Sequence, residues 1–357
     1  MRPHHPLVAL AAAGALLLAA CSDGDTTASS SPPTGAPATD AAPTTEPAAT
    51  TTTEPATTTT EPPPPPVYPL TGLPAENVLA ALRPVVVVKV GNYDAHPPTG
   101  LNAADLVYEE LINDNVSRFA AVFQSSFPEA SVGPARSGRL QDVDLLGSLA
   151  APILAWSGGN GKVTRAIDDS DLVNLSQSYC ANACFRVDFD DAPYNLYFDV
   201  QRSLDVGAPL GAGNPMPQFQ WREAGAEAEG DASAGVFVTM DAYDIEWTWN
   251  AGTGFYERSQ NGKVHDERDG SVITTDNIVV LSMVYLPGIS GSPDAQSLGM
   301  GEAWVFTGGT VVHGSWVRTD RLQPFTLTDD DGEPILLTPG RTWVELPRAE
   351  EGTVVLK

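Results

Sequence analysis

Positive charge is scarce in this sequence. The 357 residues hold 15 Arg and only four Lys against 45 Asp and Glu, for a formal charge of −26. So little basic charge cannot displace the counterions of a phosphate backbone, and a nucleic-acid binder is excluded. Histidine is thin as well. Two of the five stand at His4 and His5, and His96, His265 and His313 are scattered. No His-x-x-x-His or Glu-x-x-His pair brings them together, so no metal centre is expected, and no motif calls for a cofactor. Long apolar runs are missing too. The longest, Leu7 to Ala20, has fourteen residues, and a membrane-crossing helix needs about 20.

What stands at the start is an address. Arg2, His4 and His5 precede the apolar run, which closes as Leu18-Ala19-Ala20-Cys21. A short apolar stretch ending in small residues reads as an export signal. Cys21 falls where the bacterial lipoprotein box places its acylated cysteine. The expectation is a lipoprotein signal over 1–21, with Cys21 lipidated and the chain held on the outer leaflet of the cytoplasmic membrane. Two acyl chains give the firm anchoring that one cannot.

Residues 22–66 are nearly all Thr, Pro, Ala, Ser and acid, with ATTTTEP in tandem at 49–55 and 56–62. Without aromatics or branched aliphatics, this stretch cannot bury enough apolar area to offset ordering, so a disordered tether is expected. Polyproline-rich chain of that length reaches at most about 140 Å. Beyond it, 39 acids face 18 bases. The acidity therefore belongs to the folded part, where it favours solubility and repels anionic surfaces.

Two folded regions follow. In 67–225, Val85-Val86-Val87-Val88-Lys89-Val90 between Pro84 and Gly91 reads as a buried strand. Asn102 to Leu111 reads as a short amphipathic helix, with Asn102 as cap and Leu101, Leu106 and Leu111 on one face. Phe119–Phe123 and Ile153–Trp156 read as further strands, and Leu140–Leu149 and Val163–Ile167 as helices. The alternation predicts an α/β domain. In 233–357, short β-branched and aromatic runs recur between turn pairs such as Asn261-Gly262. They predict a mostly antiparallel β domain.

The strings YPLTGLP, RPVVVVKVGN, GLNAADLVYEEL, SRFAAVFQSSFPE and VGPARSGR, with GEPILLTPGRTWVEL near the end, resemble the YerB-like family of bacterial lipoproteins. The resemblance runs from Tyr68 to about Leu204 and resumes over the last 120 residues. It implies an anchored extracytoplasmic protein with an α/β domain first and a β-rich domain second. The family has no established reaction, so no catalytic residue carries over.

Polar residues crowd between Asp105 and Asp144. On a helix, Asp105 and Glu109 would share a face at i and i+4. They could work on a glycan as an acid/base pair, bind a cation, or close a buried ion-pair network with Arg118 and Arg136. The loop VGPARSGR offers Arg136 and Arg139 as forks for carboxylate or phosphate, with glycines that admit a close backbone. Ser157-Gly158-Gly159-Asn160-Gly161-Lys162 follows a strand and could cradle an anion, although it lacks Walker spacing. If both loops leave the same strand ends they lie together, at the usual ligand crevice of such sheets. The candidate ligand-binding set is therefore Asp105, Glu109, Arg118, Arg136, Arg139 and Asn160. Cys180 and Cys184, an even pair outside the membrane, read as a disulfide. The leading functional expectation is a non-catalytic envelope module that binds a wall polymer or an envelope protein. The rival is an envelope hydrolase or transferase acting on an anionic wall glycan or muropeptide.

Overall fold

The computed structural model describes residues 65–349, 352 and 354–357. The signal, the Cys21 lipidation site and nearly all of the tether lie outside the described residues. Among the described residues, no helix is long and apolar enough to cross a membrane.

The valine run forms β1 (Val86–Gly91). After it come β2 (Leu106–Leu111), β3 (Ser117–Phe123), β4 (Ile153–Trp156) and β5 (Val173–Ser176). Two eight-residue helices, α1 (Gly161–Asp168) and α2 (Val200–Gly207), belong to this half. The second half supplies β6 (Gly235–Met240), β7 (Tyr243–Asn250) and β8 (Phe255–Gln260). It continues with β9 (Asn277–Leu281), β10 (Gly299–Thr307), β11 (Thr310–Arg318), β12 (Thr326–Asp329) and β13 (Thr342–Glu345).

One sheet runs through both halves. Its order is β12-β11-β10-β9-β13-β2-β3-β1-β4-β5, with Asp231–Ala232 added against β11. The seam is β13, which pairs parallel with β9 on one side and with β2 on the other. A second sheet, built on the β6-β7-β8 meander, is antiparallel throughout its β6, β7 and β8 pairings.

Both faces of the large sheet are buried over β9, β13, β2, β3, β1 and β4. Val86, Val88, Val90, Val107, Phe119 and Trp343 pack with Val236, Ile245 and Trp247 of the second sheet. Val87, Leu106, Tyr108, Val122 and Val344 pack on the opposite side with Leu145, Ile167 and Trp316. A strand covered on both faces reads as a continuous apolar run and not as alternation, which is why β1 was visible in the sequence.

The helix expected over Asn102–Leu111 is not present. Leu101–Ala103 makes one 3-10 turn, and Leu106–Leu111 is the fully buried strand β2. Leu106 and Tyr108 face one side while Val107 and Leu111 face the other. The adjacent acids Glu109 and Glu110 are each buried with a basic partner, so the sequence shows no polar face. The expected α/β character is correspondingly partial. Strand–helix–strand alternation holds for β4-α1-β5, whereas β1, β2 and β3 pair antiparallel around β3. The expected helix at 140–149 is two single turns, Asp142–Leu145 and Gly147–Leu149. The antiparallel reading of the second half holds for β9 to β12 and for β6 to β8.

Candidate functional site

The carboxylates of β2 and β13 meet between the two sheets. Glu109 and Glu345 are register partners across the parallel β2–β13 pair, and both are fully buried. Arg258, reaching in from β8, donates from Nη2 to Glu109 Oε2 at 2.7 Å. Ser117 Oγ donates to Glu109 Oε1 at 2.5 Å. Trp247 Nε1 donates to Glu345 Oε1 at 2.8 Å. Asn92 Nδ2 donates to Gln260 Oε1 at 2.8 Å, and Arg258 Nη1 touches His265 Nδ1. The rings of Phe119, Trp247 and Trp343 surround the guanidinium at 5.3 to 5.8 Å.

Burial holds the Glu345 carboxyl well above the usual carboxylate range, and the nearby Glu109 charge pushes the same way. Burial thus favours the protonated form of the Glu345 carboxyl. Burial, with the Arg258 charge, pushes His265 down to about 2, so its ring is neutral and Nδ1 accepts. On the sheet's other face, Lys89 donates to Glu110 and, at 2.8 Å, to Asp142 Oδ1. Burial first, then Asp142, pushes Glu110 up to about 6 against the pull of Lys89.

Asp105 is not part of either cluster. It accepts from the backbone N–H of Gln124 (2.5 Å) and Ser125 (2.7 Å) and from the Ser125 hydroxyl. Burial pushes it up to about 6. The network in which Arg118 and Arg136 would pair with Glu109 and Asp105 is not formed, because Glu109 pairs with Arg258 and Asp105 with backbone donors.

The three arginines converge elsewhere. VGPARSGR is laced against β1: Gly91 N–H donates to Pro134 at 3.0 Å and Arg136 N–H to Lys89 at 2.8 Å. Gly91 is required there, since a Cβ would sit 2.8 Å from Arg136 Cγ. Gly138 is required too, because its Cβ would meet the Trp156 ring at 2.8 Å. Arg118 Nη1 donates to the Ser137 carbonyl at 2.6 Å, and Arg139 Nη1 reaches the same oxygen at 3.4 Å. Arg136 lies over the rings of Tyr93 (5.3 Å) and Tyr194 (4.8 Å). Among the described residues, none of the three has a carboxylate within ion-pair distance. Burial pushes Arg118 down to about 10, and the charges of Arg139 and Arg136 push it further the same way.

Ser137, Gly138 and Arg139 form one wall of a cavity of about 380 Å³, and Ser157 to Asn160 form another. The two loops are thus neighbours at the ends of β1 and β4, a parallel pair, and Ser157 N–H donates to Arg136 O at 3.1 Å. Asn160 caps α1, accepting from Lys162 N (3.0 Å) and Val163 N (3.1 Å). Its Nδ2 donates to Ser290 Oγ at 3.2 Å across the cavity rim. Of the six candidates, Arg139 and Asn160 line the cavity and Arg118 and Arg136 stand behind it. Asp105 and Glu109 are absent from its walls. Among the described residues, no three His, Cys, Asp or Glu side chains are gathered to hold a metal ion.

Residues 70–209 match the N-terminal domain, and 236–344 the C-terminal domain, of a protein family of unknown function, DUF3048. The chain belongs to the DUF3048 family. A relative in Bacillus subtilis (strain 168), named "Putative lipoprotein YerB", is 28% identical over 289 residues, 78% of this chain and 85% of the relative. The crystal structure of YerB protein from Bacillus subtilis superposes with a TM-score of 0.68 at 25% identity, covering 81% of this chain and 99% of that one. The resemblance carried by the YPLTGLP and VGPARSGR strings is borne out.

Arg258, Glu345, Lys89, Tyr93 and Tyr194 were not singled out from the sequence. A signal did exist for Arg258, since Tyr256, Arg258 and Gln260 alternate with exposed-type residues in one strand. Glu345 lies inside the apolar TWVEL. Tyr93 and Tyr194 sit in loops, and only the fold brings them to Arg136. The expected Cys180–Cys184 disulfide is present, with Cα atoms 5.7 Å apart.

Proposed function

We propose that the protein is a lipid-anchored envelope protein that works outside the cytoplasm by binding a wall-associated or protein partner, without catalysing a reaction. The lipoprotein name of the relative and the Cys21 box support the anchoring. One observation carries the binding reading. Asp105, Glu110 and Glu345, three carboxylates pushed upward, are sealed inside the sheets, while the cavity beside VGPARSGR is walled by arginine, hydroxyl, amide, glycine and two aliphatic side chains. A glycosidase needs two reachable carboxyls about 5 to 9.5 Å apart across its substrate. The walls of this cavity offer none.

The test is capture. Full-length protein on membrane vesicles is incubated with sheared wall fragments and, separately, with envelope extract under cross-linking. The expected outcome is saturable capture of one of these, with no cleavage of muropeptides. Turnover of muropeptide that survives removal of contaminating enzymes overturns the reading. Cys21→Ser should release the protein from sedimented vesicles, and equal retention overturns the anchoring.

A further inference from the structure

Three guanidiniums stand together in this acidic chain with no carboxylate of the described residues within ion-pair distance. Arg118 is 3% exposed, and its Nε has no hydrogen-bond partner among the described residues. Its Nη1 ends on the Ser137 carbonyl, which is part of the cavity wall. Arg139 reaches the same carbonyl and lines the cavity directly, with Nε on Ser292 Oγ at 3.1 Å. The cations are held close to one another, and the groups set against them are neutral: the carbonyls of Ser137, Gly138 and Pro193, the Ser292 hydroxyl and the Tyr93 and Tyr194 rings.

The facing wall adds donors of a different kind. Ser157-Gly158-Gly159-Asn160 leads from β4 into α1. Among the described residues, the backbone N–H groups of Gly158, Gly159 and Gly161 have no acceptor. Gly158 has φ +100°, and no atom lies within 4 Å of where its Cβ would be. Successive N–H groups around a left-handed glycine form an anion-binding concavity. At the start of a helix the aligned peptide dipoles add to it.

We propose that this cavity binds a single phosphoryl group, held between the Arg139 guanidinium and the N–H groups of the 157–161 loop, with Arg118 and Arg136 supplying charge from behind. The inference rests on the binding reading above and names the chemistry that its cavity takes. A planar carboxylate is satisfied by one fork. A tetrahedral oxyanion presents further oxygens to donors on a second wall, and near neutral pH it carries close to two charges. The ligand is a small phosphorylated molecule or the end group of a chain, and not a polyanion laid along the surface. The folded part carries 39 acids against 18 bases. Beyond about 8 Å from the cavity, screening hides the arginines and a long polyanion meets repulsion.

Calorimetric titration of the full-length lipidated protein in neutral detergent, at constant ionic strength, tests this. Inorganic phosphate is the probe, acetate is the carboxylate comparison, and phosphatidate vesicles against phosphatidylcholine vesicles separate a headgroup source from a free one. Saturable phosphate binding is expected, with acetate at least about tenfold weaker. Arg139→Gln should weaken phosphate at least about tenfold. The exposed Arg202→Gln on α2 should leave it unchanged. Arg118→Gln, checked for folding by its melting curve, should also weaken binding. No saturation of the wild type, equal binding of acetate, or full affinity in folded Arg139→Gln each overturns the proposal. Wall or protein capture that persists without phosphate binding removes this inference alone. Phosphate binding without any capture removes the partner reading alone.

Discussion

Arg258 and Arg139 are the same residue type in opposite circumstances. Arg258 is fully buried, pairs with Glu109 and is boxed by three aromatic rings. Arg139 has no carboxylate partner among the described residues and faces a cavity. In the first cluster the guanidinium has its counter-charge within the protein, and its use is to pin the second sheet onto the first. The second cluster is incomplete without something from outside. Other described arginines, Arg83 and Arg222 among them, also lack an ion-pair carboxylate; Arg118, Arg136 and Arg139 differ in standing together beside a cavity.

The largest break of this contrast is Arg258→Met. It leaves the buried Glu109 carboxyl without the Arg258 counter-charge, and a cost of about 3 to 5 kcal/mol is expected in urea unfolding. A cost below about 1 kcal/mol would mean that the cluster does not hold the sheets. A smaller break falls on the arginine side. Cys180 and Cys184 close a short loop before Leu196–Phe198, the strand that braces VGPARSGR. Their replacement by Ser should cost about 2 kcal/mol from loop entropy, read as a lowered melting temperature.

Glu345→Gln sharpens the comparison through pH. The folded Glu345 carboxyl titrates above its unfolded value, so the folded state binds the extra proton. Its contribution is complete below the ordinary carboxylate range and fades as pH rises through the folded value. Asp105 and Glu110, at about 6, act in the same direction across roughly pH 4 to 6. Gln copies the neutral acid, so the variant should gain on the wild type as pH rises from 5 to 8 in urea midpoints. A constant loss at both pH values contradicts a neutral Glu345. The smallest effect is expected for Arg139→Gln, whose unfolding free energy should stay within about 0.5 kcal/mol of wild type. A loss near that of Arg258→Met would make Arg139 a brace and not a ligand group.

Much of this was legible in the sequence. The valine run, FAAVF, ILAW and the short strands of the second half announced themselves through β-branched and aromatic content. VGPARSGR does lie beside the SGGNGK loop, but by pairing alongside the end of β1 and not by leaving a strand parallel to β4. The sequence misled where polar residues are buried with partners far along the chain. Glu109 finds Arg258 and Glu110 finds Lys89 and Asp142 through tertiary contacts, so NAADLVYEEL carried no mark of its strand. The arginine cluster was seen as residues, but its lack of counter-ions is a property of the fold alone.

The position of β13 has a consequence for synthesis. Leu106 pairs with Thr342, so a ribosome would finish β2 more than two hundred residues before supplying its neighbour. Until then the open side of β2 presents unpaired N–H and C=O groups, the template on which strands of other molecules add. Closure by so late a segment favours slow, chaperone-dependent maturation, and a nascent chain cut before residue 342 should aggregate instead of leaving a folded first half.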